Sequence, residues 1–168
     1  TLTNVPVGDY TLTAYESNTG FTYTATASVV ENQSSAQNVT FPATGVVKKF
    51  WDGGGGNTSW HTPANWNNDT LPVSTDDVVI PAQITVTYST GTTSINSLSN
   101  SGDMALSGGT LNIATTASAN NLTISGGTAN FKTTQPAQIQ SLSISGGTLG
   151  GSGTVTVSGQ LSWSGGEM

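Results

Sequence analysis

The sequence has no cysteine and no arginine, and charged residues make up only 7% of it, against about a quarter in an ordinary domain. Without cysteine, the chain forms neither a disulfide nor a thiolate metal site. The three basic residues are Lys48, Lys49 and Lys132, and the net charge is −6. Three lysines are too few to build the basic face that neutralises phosphates. These absences argue against nucleic acid and anionic lipid as partners.

Long hydrophobic runs are missing as well. No stretch reaches the roughly 20 apolar residues of a transmembrane helix, so we expect no membrane insertion by this segment. The sequence begins with Thr1 and stops at Met168 inside a repeat. We therefore expect it to be an excerpt of a longer polypeptide.

Ser, Thr, Asn and 21 glycines take the place of the missing charge. Thr and Val favour extended strands, whereas Gly and Asn favour tight turns. This composition predicts an all-β fold.

Residues 1–45 alternate polar and apolar side chains with a period of two, in the stretches 10–15, 21–27 and 37–41. Such alternation predicts three or four antiparallel strands. The opening stretch 2–10 resembles the strand-turn-strand of prealbumin-like repeats in collagen adhesins and of carboxypeptidase regulatory-like domains. The resemblance implies that residues 1–45 are the C-terminal part of an antiparallel β-sandwich.

Residues 46–75 combine tryptophan, glycine and asparagine. Trp51, Trp60 and Trp66 lie close together in the sequence, and indoles at this spacing are expected to pack on one another and cover an exposed core end. We predict that these three residues and Asn65 form a linker and cap at the N-terminal end of the domain that follows.

The order of residues in this stretch resembles the entry segment of passenger domains in autotransporters and related secreted β-helical proteins. The resemblance is carried by Trp51-x-Gly53-Gly54, Trp60, Asn65-Trp66, Pro72 and Asp76-x-Val78-x-Ile80. It implies a β-helix downstream and an extracellular or bacterial cell-surface location.

Residues 76–168 contain a repeat. The motif Ser-Gly-Gly starts at Ser107, Ser125, Ser145 and Ser164, at spacings of 18, 20 and 19 residues. A unit of this length is too short for a strand and a helix, and it suits one coil of a right-handed parallel β-solenoid with turns of about 19 residues.

The residue before each motif is predicted to point inward, and the four form a core ladder: Leu106, Ile124, Ile144 and Trp163. Corner conformations that other residues resist are predicted at the glycines of each motif: Gly108, Gly109, Gly126, Gly127, Gly146, Gly147, Gly165 and Gly166. Before Leu106 the register is open, because residues 98–102 fit either an equivalent of the motif or an inserted half-turn.

Few residues are candidates for chemistry. His61 is the only histidine, and without further His or Cys nearby it is expected to be a surface or capping residue. Asp76 and Asp77 fit either a catalytic or Ca²⁺-binding pair or a cap in which one aspartate bonds the turn backbone. We favour the cap, and we expect no catalytic residue, no metal and no cofactor.

These observations predict a non-catalytic structural or adhesive module of a bacterial surface protein. Outward ladders of Thr, Ser and Asn are compatible with a glycan or ice face, so a glycan or a host or cell-surface ligand is an expected partner. Copies of the chain itself are another, through open strand edges. Two alternatives stay open: a filament subunit joined head to tail, and a fragment of a β-helical carbohydrate-active enzyme.

Overall fold

The chain divides into two compact units, Thr1–Gly45 and Val46–Met168. The structure is a computed structural model that describes residues 6–16, 21–31 and 48–168. The second unit contains both the Trp-rich stretch and the repeats. The two units are described separately below.

The first unit contains an antiparallel pair of strands, β1 (Gly8–Glu16) and β2 (Phe21–Val29). Their register runs from Gly8 opposite Val29 to Glu16 opposite Phe21. Ser28 Oγ donates a hydrogen bond across the pair to Asp9. The predicted strand at 37–41 lies outside the described residues, so the β-sandwich stays a prediction.

The second unit is a β-solenoid of about four turns. Its strands are β3 (Lys48–Phe50), β4 (Asp77–Ile80), β5 (Thr85–Tyr88), β6 (Thr92–Phe131), β7 (Ala137–Ile144), β8 (Thr148–Gly150), β9 (Val155–Val157) and β10 (Leu161–Trp163). Every pairing between these strands is parallel. Two 3₁₀ helices, Pro63–Asn65 and Asn67–Asp69, lie between β3 and β4. In the described part of the chain, no helix is long and apolar enough to cross a bilayer.

The coils form three walls. Wall A contains β3, β4, residues 97–100, residues 117–119, residues 137–139 and β9. Wall B contains β5, residues 103–106, residues 121–124, residues 141–144 and β10. Wall C contains residues 92–95, residues 110–113, residues 128–131 and β8. Each complete coil, such as residues 97–113, therefore contributes one short strand to each wall, as a unit near 19 residues allows.

Alternate residues of each wall point into the core because successive side chains of a strand face opposite sides. Three members of the predicted ladder, Leu106, Ile124 and Ile144, are buried, and Ile124 lies in register with Ile144. Trp163 differs from the expectation. It continues the column in register with Ile144, but it is 55% exposed, because among the described residues a coil packs against it from one side only.

The glycine corners stack directly on one another. The second glycine of each motif has a positive φ, as at Gly127 (φ +71°), where an added Cβ would lie 2.5 Å from the Gly109 carbonyl oxygen of the previous coil. The first glycine has an ordinary φ but is crowded too. At Gly126, for example, an added Cβ would lie 2.5 Å from the Ser107 carbonyl oxygen. Stacked corners thus exclude side chains at both positions.

The structure also decides the register before Leu106. Gly91 (φ +71°) stacks against Gly109, so residues 89–91 are the preceding equivalent of the Ser-Gly-Gly corner although they read Ser-Thr-Gly. Residues 98–102 are neither that equivalent nor an insertion. They finish wall A and turn into wall B at Gly102.

Candidate functional site

The N-terminal end of the solenoid is covered by a cluster of aromatic rings. Trp51, Trp60 and Trp66 are 4%, 0% and 0% exposed. The ring of Trp66 meets those of Trp51 and Trp60 edge to face, with centroids 5.0 and 4.7 Å away. Trp60 also contacts Tyr88 of wall B, at 5.6 Å. The structure therefore brings the three predicted cap residues together on the first coil, and it adds Tyr88, which the sequence pattern did not single out.

Asn65 organises the loop that carries these rings. Its side chain is fully buried. Oδ1 accepts a hydrogen bond from the Gly55 amide at 3.0 Å. Nδ2 lies within 3.0–3.1 Å of three acceptors, which are the Ser59 carbonyl and two oxygens of Asn57. A buried amide with this many partners holds the loop in one conformation.

A second asparagine covers the outer edge of β3, the first strand of wall A. Asn67 Oδ1 accepts the Phe50 amide at 2.9 Å, and its Nδ2 donates to the Lys48 carbonyl at 3.4 Å. Lys49, only 5% exposed, donates from Nζ to the Asn67 carbonyl and to Thr70 Oγ1, at 3.0 and 2.7 Å. The side chain of Asn67 thus takes the hydrogen-bonding place that a further strand would occupy.

His61 lies beside this cap and packs on Tyr88, with ring centroids 4.8 Å apart. Within the described residues, both ring nitrogens of His61 and Nε1 of Trp60 are buried without a hydrogen-bond partner. The Tyr88 hydroxyl is near the Thr110 carbonyl (2.9 Å) and Thr93 Oγ1 (3.1 Å). Burial raises the pKa of Tyr88, and its hydrogen bonds with Thr93 offset part of that rise. Tyr88 is consequently a neutral packing residue at physiological pH.

The two neighbouring aspartates serve the turn and the next coil. Asp76 is buried, and its Oδ2 accepts the Val73 amide at 2.9 Å. Asp77 accepts hydrogen bonds from the side chains of Asn96 and Ser97 in the next coil. Among the described residues, no group of three or more His, Cys, Asp or Glu side chains is arranged to hold a metal ion. Asp76 therefore stabilises the turn before β4, and Asp77 bonds the side chains of the adjacent coil.

Two shallow grooves lie on the outer surface of the solenoid. The first, of about 340 Å³, runs along wall B and is lined by Asn121, Leu122, Thr123, Ser141, Leu142, Ser143, Gln160 and Ser162. The second, of about 390 Å³, follows the corner between walls A and B and is lined by Asn100, Ser101, Ser118, Ala119, Asn120, Gln138, Ile139, Gln140 and Ser158. Every lining residue is uncharged.

The lining of the wall B groove forms columns. Asn121 lies in register with Ser141, and Thr123 with Ser143, which is in turn in register with Ser162. Parallel strands are roughly 4.8 Å apart, so hydroxyl and amide groups recur at that interval along the groove. Both groups donate and accept hydrogen bonds, and they suit a ligand that carries regularly spaced neutral polar groups.

Comparison with protein-family models, with curated proteins and with solved structures gives no match to this chain.

Proposed function

We propose that this chain is a non-catalytic structural and adhesive module of a bacterial surface protein, and that the outer grooves of its solenoid bind a neutral glycan. The observation that carries the proposal is the lining of the wall B groove, where hydroxyl and amide side chains recur in register and no lining residue is charged. A glycan offers repeated hydroxyls, which hydrogen-bond to such groups without the cost of desolvating an ion.

The N-terminal end of the solenoid favours a module over a filament. Head-to-tail growth by strand addition needs a free edge at both ends of the stack. At the β3 edge, Asn67 already occupies the hydrogen-bonding groups of Lys48 and Phe50. Among the described residues, this side chain rather than another strand occupies the outer edge of β3.

The proposal is tested with a panel of neutral and acidic oligosaccharides, whose binding to the chain is measured by titration calorimetry. We expect binding to neutral members that changes little with salt. The double variant Thr123→Val/Ser143→Ala removes two hydroxyls from one column of the groove with little change of volume, and we expect at least a tenfold loss of affinity.

The matched control is Thr128→Val/Thr148→Val, which removes two hydroxyls in register on wall C. It should bind as the unmodified chain does. Binding that is lost equally in both variants, or that occurs only with acidic sugars, would contradict the groove as the site. Cleavage of any sugar that is abolished by Asp77→Asn would contradict the non-catalytic assignment.

A further inference from the structure

Wall C repeats one pattern of side chains on its outer surface. Each of its strands begins with a threonine, and residues 92–95, 110–113 and 128–131 carry a serine or an asparagine two positions later. The fourth residue of these strands points inward, and Ile113 and Phe131 are accordingly buried. Because successive side chains of a strand face opposite sides, the first and third residues point outward. We call these outward residues the wall C array: Thr92, Ser94, Thr110, Asn112, Thr128, Asn130 and Thr148.

The wall C array is in register along the solenoid axis. Thr128 is paired with Thr148 of the next coil. The Thr110 amide donates to the Gly91 carbonyl, which places Thr110 beside Thr92. Parallel strands are roughly 4.8 Å apart, and residues two positions apart on one strand are separated by roughly 6.6 Å. The array therefore repeats in two directions, along the axis and along the strands.

Hydrogen bonds along the axis hold the amides of the array. Asn130 Nδ2 donates to Asn112 Oδ1 at 3.0 Å, and Asn112 Nδ2 donates to Ser94 Oγ at 3.4 Å. Each of these bonds uses one of the two hydrogens of an amide nitrogen, so the other hydrogen is left for an outside partner. The threonines are β-branched, which restricts their χ1 rotamers. The donors and acceptors of the array are consequently fixed in place before a partner binds.

The composition of the array favours a partner that is neutral and itself periodic. Its seven side chains carry only uncharged hydroxyl and amide groups, and neither of the two outer grooves contains a residue of wall C. Liquid water adapts to any arrangement of such groups, so a repeat in two directions adds nothing to its binding. A face of an ice crystal repeats in two directions, and its oxygen atoms recur at intervals close to those of the array. Regular spacing is thus the property that distinguishes ice from liquid water as a partner.

We propose that wall C is an ice-binding face, on which the side chains of the wall C array take the places of water molecules in the surface of an ice crystal. The threonine hydroxyls and the remaining amide hydrogens bond to the outermost waters of the lattice. Once one group is in place, the others bind without a further loss of translational freedom, so weak contacts act together. Ice cannot grow where the chain is bound. This inference does not depend on the glycan groove.

The growth of a seed crystal in a solution of the full chain tests the proposal. We expect a gap between the melting and the freezing temperature of the crystal, and facets on its surface. Thr128→Lys places a long charged side chain in the middle of the array and should lose most of this gap. Thr128→Val/Thr148→Val removes two hydroxyls in register with little change of volume, and it should narrow the gap as well. Circular dichroism checks that both variants are folded.

Ser99→Lys is the matched control, since it adds the same charge to an exposed residue on the outside of wall A. It should show the same gap as the unmodified chain. Three results would overturn the proposal: no gap at any concentration, an equal loss in Ser99→Lys and Thr128→Lys, or the full gap in a folded Thr128→Val/Thr148→Val variant. Weaker binding of a neutral oligosaccharide by Thr128→Lys, with freezing unchanged, would also overturn it and assign wall C to a sugar.

Discussion

Trp66 donates a hydrogen bond from Nε1 to the carbonyl oxygen of Trp60 at 2.8 Å, while the two indole rings meet edge to face with centroids 4.7 Å apart. Trp66 thus contacts both the backbone and the side chain of Trp60. Trp66 also contacts Trp51, which stands next to β3. Through these contacts the linker between β3 and β4 becomes part of the solenoid core.

Replacing Trp66 by Ala should destabilise the solenoid by about 3–5 kcal/mol, because a fully buried indole leaves a large cavity and the Trp60 carbonyl loses its donor. Chemical denaturation followed by far-UV circular dichroism measures the change. Trp163→Ala, the same substitution at an exposed indole, should cost far less. Equal losses would show that Trp66 is not a core residue of the cap.

Two glycines with positive φ, one in the Trp-rich loop and one at a corner, distinguish the cost of backbone strain from the cost of crowding. Gly56 (φ +67°) has open space around an added Cβ, whereas at Gly127 (φ +71°) an added Cβ would lie 2.5 Å from backbone atoms of the previous coil. We expect Gly56→Ala to cost about 1 kcal/mol, from the left-handed conformation alone. Gly127→Ala should cost about 2–4 kcal/mol, because overpacking adds to the same strain. Similar free energies of unfolding for the two variants would mean that the coils separate readily at this corner.

The stability of the solenoid should fall at alkaline pH through Tyr88. Burial raises the pKa of this phenol above its ordinary value of 10.0. Above pH 10 the folded state therefore retains the Tyr88 proton where the unfolded state has lost it. The free energy of unfolding is consequently at its full value below pH 10, and it decreases as the pH rises through the pKa of the folded state. The denaturation midpoint of the unmodified chain should decrease between about pH 9 and pH 11.

Tyr88→Phe isolates this effect, since the other tyrosines and the lysines titrate in both proteins. The variant should show a smaller decrease over the same pH range. If the two proteins lose stability in parallel, Tyr88 does not contribute to the alkaline transition.

Asn67 should protect the amide of Phe50 from hydrogen exchange. Its Oδ1 accepts that amide at the outer edge of β3. In Asn67→Ala the amide has no side-chain acceptor and should exchange faster, whereas Asn67→Asp keeps an oxygen at this position and should preserve the protection. Exchange measured by NMR distinguishes them, and unchanged protection in Asn67→Ala would show that the edge is covered by something other than this side chain.

The architecture of the solenoid was predictable because its sequence is periodic. Spacings of 18 to 20 residues between Ser-Gly-Gly motifs set the length of a coil, and alternation within each coil determines which side chains face inward. Both are local properties of an extended chain. Leu106, Ile124 and Ile144 could therefore be assigned to the core from the sequence, as could the clustering of three indoles close together in the chain.

Other residues have roles that depend on tertiary contacts and that the local periodicity of the sequence does not predict. Gly91 is a corner residue only because Gly109 stacks on it, and its motif lacks the first glycine. Trp163 has the inward position of its column, yet it is exposed in the described residues, where a coil packs on only one of its sides. The edge-covering role of Asn67 depends on a contact with Phe50 of β3, 17 residues earlier. Asparagine occurs throughout the sequence, so no local signal separates this one from the others, and its role follows from which strand edge it meets.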